Sequence, residues 1–328
     1  MWANHSVMAF TRWLRDYNRQ SDDRSGRVAF YGLDIYNLYG SIEAVLDYLW
    51  RIDPPAAQAA SRAYACLKPW SSDPSIYSKV MKSGRHRGCA EQVSAVLNEL
   101  RSKQASYQQA GNHYPQQRYF NALQSARMAK NAERYYRTMY DDATDSWNQR
   151  DENMFATLLA ILQHHGRSSK AVIWAHNSHL GDSRATDRSE RGEINLGQRV
   201  RERFADSAYL IGFGTDHGTV AAASAWGGPM RVMQVPPSHK DSYGYLFHQV
   251  TADNFLLPLR RSAMRTPLQQ LTREKLQQVR LQRAIGTTYD PDDELNKHYS
   301  SVSLSRQFDE FIWFDETRAV KPLDIDSK

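Results

Sequence analysis

The stretch Ala171-Val172-Ile173-Trp174-Ala175-His176-Asn177-Ser178-His179-Leu180-Gly181-Asp182 decides how this sequence is read. Five apolar residues end abruptly in ionisable ones. A run of that length, bounded by Ser168-Ser169-Lys170, predicts a strand covered on both faces, as in a parallel sheet. Ligands of open α/β sheets bind just beyond the carboxyl ends of such strands. His176, Asn177, His179 and Asp182 are therefore where chemistry is expected.

Upstream, Met154, Phe155, Leu158, Leu159 and Leu162 recur at helical spacing, and Gly166 closes that helix before the strand. From about residue 56 to 145 strand signals vanish. Ala-, Gln-, Tyr- and Arg-rich helical patches, broken around Lys68–Pro74 and Gly111–Pro115, read as a helical insertion or cap. Ahead of it, Asn4 is suited to cap a helix with Val7, Phe10, Trp13, Leu14 and Tyr17 on one face. A polar turn over Ser21–Gly26 leads into an expected strand, Val28–Tyr31, which leaves Asp34 just past a strand end. Leu38 to Leu49 is periodic, and Asp53-Pro54-Pro55 stops or re-aims that helix.

Downstream, Asn195 is suited to cap a basic helix ending near Arg203, and Tyr209–Phe213 reads as the next strand. A helix between two strands implies a parallel crossover. A weaker strand is expected over Met230–Val235, short helices near Tyr243–Val250 and Leu268–Val279, and a last strand over Phe311–Phe314, followed by Asp315 and Glu316. The fold class is α/β, with a mostly parallel central sheet flanked by helices. We read residues 1–328 as one domain with the helical insertion at about 56–145.

The 328 residues are 41% hydrophobic and 24% charged with a net charge of +6, the balance of an ordinary globular protein. Basic residues are interspersed with acidic ones and carry no nucleic-acid motif, so no nucleic-acid partner is expected. The Arg184/Arg188/Arg191 and Arg260/Arg261/Arg265 groups are the candidates for attracting an anion. No apolar stretch is long enough to span a membrane, and no secretory signal opens the chain. Cys66 and Cys89 offer neither a disulfide framework nor metal-ligand spacing, which predicts two buried thiols in a reducing, cytoplasmic setting.

Gly212, Gly214 and Gly218 have the wrong last interval for a dinucleotide fingerprint and are read as a turn. There is no phosphate loop, no Gly-x-Ser-x-Gly elbow around Ser178 and no zincin motif. His176 and His179 fit two chemistries. They are metal ligands if Asp34 or Asp182 supplies a third donor. They are acid/base groups if their imidazoles keep a pKa near 6.5, able to take a proton from water or polarise a carbonyl. Arg150 would then supply positive charge to a developing oxyanion. The plainer alternative is that both histidines only hydrogen-bond a loop.

Taken together, several segments resemble the erythromycin esterase family, some of whose members carry succinoglycan-biosynthesis labels. They are Phe30-Tyr-Gly-Leu-Asp34-Ile-Tyr36, Asn131-Ala-Glu133-Arg-Tyr-Tyr136, Trp147-Asn-Gln-Arg150-Asp151 through Met154, Trp174-Ala-His176-Asn-Ser-His179, Gly212-Phe-Gly-Thr215, Gly218-Thr-Val-Ala-Ala-Ala223 and Phe314-Asp-Glu-Thr-Arg318. The resemblance implies an α/β core with a helical portion. It also implies hydrolysis of an ester or lactone by histidine-activated water, without a covalent intermediate or cofactor. It places His176, His179 and Arg150 as catalytic residues, and Asp34, Asn177, Asp151 and Glu133 as substrate-binding ones, with no metal ligands. The substrate is a small-molecule ester or lactone; a macrolactone and a polysaccharide ester fit equally.

One departure stands against these agreements. Family members carry, ahead of the point that Met1–Asn4 resembles, a first strand and a Gly-Glu-x-x-His element whose histidine is the general base. Here the only Gly-Glu, Gly192-Glu193, is followed by Ile-Asn-Leu. A late-assigned start, a fragment and a shortened protein with another role are the open explanations. Without that base, hydrolysis should lose about 10²–10⁴-fold, and an uncovered sheet edge should favour association. A non-catalytic binding module and a metal-dependent hydrolase remain the alternatives.

Overall fold

The computed structural model describes residues 2–21, 26–84, 86–110 and 114–323. Most of the expected turn at Ser21–Gly26 and of the break at Gly111–Pro115 lies outside them. The chain divides into two compact units, one of Leu33–Ile173 and the other of Met1–Gly32 with Trp174–Lys328.

The first unit is helical, as the lack of strand signals over 56–145 predicts, and it extends beyond that stretch on both sides. Its principal helices are Leu38–Ile52, Pro54–Tyr64, Pro74–Lys82, Ala90–Ser102, Pro115–Thr138 and Ala143–His165. Asp53 separates the first two. Its backbone N–H donates to Leu49 O, while its carboxylate accepts the Ala56 N–H ahead of which Pro54 and Pro55 occupy the first turn. The other carboxylate oxygen takes Lys103 Nζ at 2.9 Å and Tyr107 Oη at 2.7 Å, and Lys103 foremost holds this carboxyl down at about 2. Ala122, Ala126, Ala129 and Ala132 form a buried small-residue stripe on Pro115–Thr138, which packs on Leu38–Ile52 and Ala90–Ser102. Small side chains there let helix axes approach closely.

Cys66 and Cys89, expected as separate thiols, are paired in this unit as a disulfide with Cα atoms 6.1 Å apart. Pairing is set by the path of the chain between Pro54–Tyr64 and Ala90–Ser102, which residue spacing does not encode.

The second unit holds the sheet. Its strands are β1 (Ile211–Ala222), β2 (Arg231–Val235), β3 (Asn254–Pro258), β4 (Arg280–Arg283), β5 (Tyr299–Val302) and β6 (Glu310–Thr317). The main sheet runs β2-β1-β6-β3, and β4 pairs with β5 apart from it. β1 and β6 are parallel, whereas β2 and β3 join antiparallel at the edges, so the α/β fold is built on a mixed sheet. Among the described residues no helix is long and apolar enough to cross a membrane.

Two expected strands carry no ladder. Val28–Tyr31 and Ala171–Ala175 have no strand assignment, and Phe30 and Val172 are 64% and 99% exposed. Their residue types suit a strand, but a strand exists only through a partner's backbone groups, which the types do not supply.

The glycines expected in a turn lie inside β1. A Cβ on Gly212 or Gly214 would stand 2.7–2.8 Å from the Phe311 ring, so β1 uses glycine to let β6's aromatic side chains press on its backbone. Gly218, at φ +125°, pairs with both Thr317 and Val235. β6 delivers Phe311 and Trp313 into a core with Leu210, Tyr243, Phe247, Leu259, Leu304 and Phe308. Asp309 ties this corner together, accepting Leu210 N–H at 2.8 Å, Arg201 Nη2 at 2.5 Å and Arg260 Nε at 3.1 Å.

Candidate active site residues

His176 caps the single helical turn Asn177–Leu180 in the sheet unit. Its Nε2 lies 3.0 Å from the Ile285 carbonyl, and its Nδ1 accepts the Ser178 N–H at 3.2 Å with Ser178 Oγ at 2.8 Å. A carbonyl can only accept, so the ring proton sits on Nε2 and Nδ1 is the acceptor. Burial pushes this imidazole down to about 4, with His179 and Arg188 adding to the effect and the Ile285 carbonyl opposing it. His176 is a buried ring hydrogen-bonded at both nitrogens.

Asn177 fastens the loop to β1: its Nδ2 donates to Phe213 O at 2.6 Å and its Oδ1 accepts Phe213 N–H at 3.1 Å. That is the pairing a neighbouring strand would give, made by a side chain. His179 is buried at 7% exposure, and its backbone N–H donates to His176 O. Asn195 donates to Ser178 O and Gly181 O while accepting Gln198 N–H as the expected cap of Leu196–Phe204. Asp182 forks onto Arg184 Nε and Nη2 at 2.9 and 2.7 Å and accepts Arg184 N–H, so its oxygens are committed away from metal ligation.

In the helical unit, Asp34 and Arg150 form a bidentate pair, Oδ1 to Nε at 2.9 Å and Oδ2 to Nη2 at 2.8 Å. The guanidinium lies over the Tyr36 ring, 4.9 Å from its centroid. Burial works to lower the Arg150 pKa, but Asp34 outweighs it and the cation is held more firmly than usual. Tyr36 is pushed up, chiefly by burial. Asn153 donates to Leu33 O, next to Asp34, and accepts Asn131 Nδ2. Asp151 and Glu133 are each 1% exposed. Glu133 accepts Tyr77 Oη at 2.6 Å and Arg137 Nε at 3.0 Å, bonds internal to the helical core.

Four of the arginines considered as anion attractors pair with acids: Arg184 with Asp182, Arg188 and Arg191 with Glu193, Arg260 with Asp309. A different cluster escaped sequence reading. Asp216 and His217 on β1 meet His248, from the helix Tyr243–His248, and Asp315 on β6. Its signal was an ionisable residue at matching depth in two strands, visible only once β1 and β6 are known to be parallel and in register.

Residues 1–317 match the family model described as erythromycin esterase. The chain belongs to the erythromycin esterase family. Membership brings a hydrolase-type function at the level of the family and a small-molecule substrate with it. Solved structures share the fold at low identity. A protein from Bacillus cereus is 17% identical with a TM-score of 0.78, over 98% of this chain and 74% of that one. A succinoglycan biosynthesis protein is 20% identical with a TM-score of 0.72, over 98% of this chain and 72% of that one. An erythromycin esterase, a histidine-to-asparagine variant in its open conformation, is 17% identical with a TM-score of 0.63, over 98% and 74%.

Proposed function

We propose that this erythromycin esterase family chain acts on a carboxylic ester or lactone by histidine-assisted attack of water. The observation that carries the reading is the histidine loop. Asn177 pins it to the backbone of β1, and neutral His176 fixes its turn through both ring nitrogens. Such a loop presents its second histidine, His179, at a set position without a mobile charge beside it. We assign His179 to proton transfer, and His176 to positioning it and keeping the loop uncharged. In the helical unit, Arg150 is the donor for an anionic oxygen. Asp34 fixes the plane of its fork, as oxyanion donors require preorganisation. Asn177, Asp151 and Glu133 support these groups by holding backbone and helix positions. Against a metal-dependent reading through His176 and His179 stands the engagement of both named third ligands by arginines, Asp182 by Arg184 and Asp34 by Arg150.

The test is turnover on a panel of acyl esters and lactones of increasing ring size. Turnover should vanish in His179→Ala and fall on the order of 10²–10³-fold in Arg150→Met. Unchanged rates in His179→Ala would overturn the assignment. Absence of turnover on the whole panel, with thermal stabilisation by one of its members, would replace it with a non-catalytic binding module.

A further inference from the structure

The cluster at the far end of β1 has a donor set and spacing suited to a divalent cation. Asp216, His217 and His248 each offer a ligand atom within 4.8 Å of the others, the one such group of three among the described residues. Asp216 Oδ2 lies 3.1 Å from His217 Nδ1 and 3.6 Å from His248 Nδ1. Four ligands at zinc–nitrogen and zinc–oxygen bond lengths span tetrahedral edges of roughly 3.3–3.5 Å. The two distances bracket that edge. Asp315 Oδ1, on the adjacent strand, stands at hydrogen-bond distance, 2.8 Å, from His248 Nδ1 and orients that ring.

The carboxylate at the centre is built in, not adventitious. Asp216 is 1% exposed, and its Oδ1 is held by the Ser238 N–H at 3.0 Å, which turns Oδ2 toward the imidazoles. Arg283 Nη1 donates to the Asp216 carbonyl, fixing the backbone beneath it. The side chains of neighbouring residues Asp216 and His217 meet, Asp216 Oδ2 to His217 Nδ1. The donors come from two elements, β1 and the helix Tyr243–His248. The buried Asp216 carboxylate supplies negative charge that a dication balances. Imidazole nitrogens with carboxylates and no thiolate suit zinc among the first-row ions.

We infer that Asp216, His217 and His248 form a zinc-class metal site that locks the end of β1 to the helix Tyr243–His248. It is separate from the histidine loop. Asn177 meets β1 at Phe213, three residues and about 10 Å of strand before Asp216. The site requires no ester hydrolysis, so it stands or falls apart from the proposed activity.

Chelator-stripped protein titrated with zinc chloride in a calorimeter should bind one equivalent, and cobalt should give the visible absorption of a tetrahedral centre. His217→Ala and His248→Ala are half-exposed positions that leave the fold intact. Each should weaken binding by at least about tenfold, the lower end of what even outer-sphere partners contribute. The double variant should bind no stoichiometric metal and lose the rise in Tm that zinc gives the parent. Asp216→Asn, which keeps an acceptor for Ser238, should do the same. Failure of the parent to bind, or undiminished binding in the double variant, would overturn the inference. So would loss of binding in His176→Asn or His179→Ala with the double variant unaffected.

Discussion

Replacing Asp309 with alanine should destabilise the protein by about 4 kcal/mol. The side chain is 10% exposed, and those of Arg201 and Arg260 that it joins are 22% and 19% exposed. Breaking a buried ion pair costs roughly 3–5 kcal/mol because it strands the remaining charge. Partial exposure of both arginines puts that term near the lower end, about 3 kcal/mol. The Leu210 N–H, which the carboxylate accepts at 2.8 Å, loses its partner as well, adding about 1 kcal/mol. Urea denaturation followed by circular dichroism at pH 7 measures the difference, with an unchanged m-value as the check on two-state behaviour. Asp309→Asn keeps an acceptor for Leu210 and should fall between. Adding Arg201→Met and Arg260→Met to it should recover stability, since the penalty lies in unpaired charge. Burial alone would raise this carboxyl, but Arg260, the Leu210 N–H and Arg201 hold it below the usual range. The unfolded chain therefore takes up a proton first as pH falls. The contribution is complete above about pH 5 and is lost as pH drops through the folded value. A loss under 1 kcal/mol for Asp309→Ala would refute the account of this corner.

Three further outcomes follow from single features. His176, held down at about 4 by burial, should stay neutral with its proton on Nε2 from pH 8 to pH 5 in nitrogen-15 NMR. Because the unfolded imidazole protonates near 6.5, its contribution makes stability fall as pH drops from about 6.5 to 4; a protonated ring at pH 6 would contradict this. The Cys66–Cys89 bridge closes a separation of 23 residues, which corresponds to about 3.4 kcal/mol of unfolded-chain entropy at 25 °C. Dithiothreitol should lower Tm, and two titratable thiols in the unreduced, denatured protein would show that the bridge is absent. Gly214→Ala brings a Cβ to 2.8 Å from the Phe311 ring and should cost about 1–3 kcal/mol. Gly32→Ala, with nothing within 4 Å, should stay within about 0.5 kcal/mol, and equal effects at both sites would sink the packing argument.

Local signals in the sequence translated well where local physics governs. Asn4, Asn195 and Gly166 sit at the helix ends their chemistry suits, and the strands expected at Met230–Val235 and Phe311–Phe314 became β2 and β6. Strands whose residue types conceal them were missed: Arg280-Leu-Gln-Arg283 and Tyr299-Ser-Ser-Val302 hold each other by pairing, with little apolar alternation to betray them. Val28–Tyr31 failed in the opposite sense, with strand composition and no strand ladder. For the candidate site the residue types were visible and their states were not. The Ile285 carbonyl that fixes the His176 tautomer is 109 positions away, and Asp34 and Arg150 are 116 apart. Nothing in either neighbourhood announces those contacts.

β1 is where these separate observations become one argument. From Leu210, the residue before it, to Asp216, it meets the Asp309 corner at the Leu210 N–H, Asn177 at Phe213 and the histidine cluster at Asp216. Each attachment occupies a different backbone position on a strand whose other flank is sealed by β6 through Phe311 and Trp313. A strand clamped by aromatic packing has little freedom to slide, because a one-residue slip turns every side chain to the opposite face. The Asn177 amide ties the histidine loop to β1. Asn177→Ala should free the loop while leaving the sheet intact, and the same change should leave zinc binding at Asp216 unaltered. Loss of both together would mean that the register of β1, and not the Asn177 amide, is what holds the loop in place.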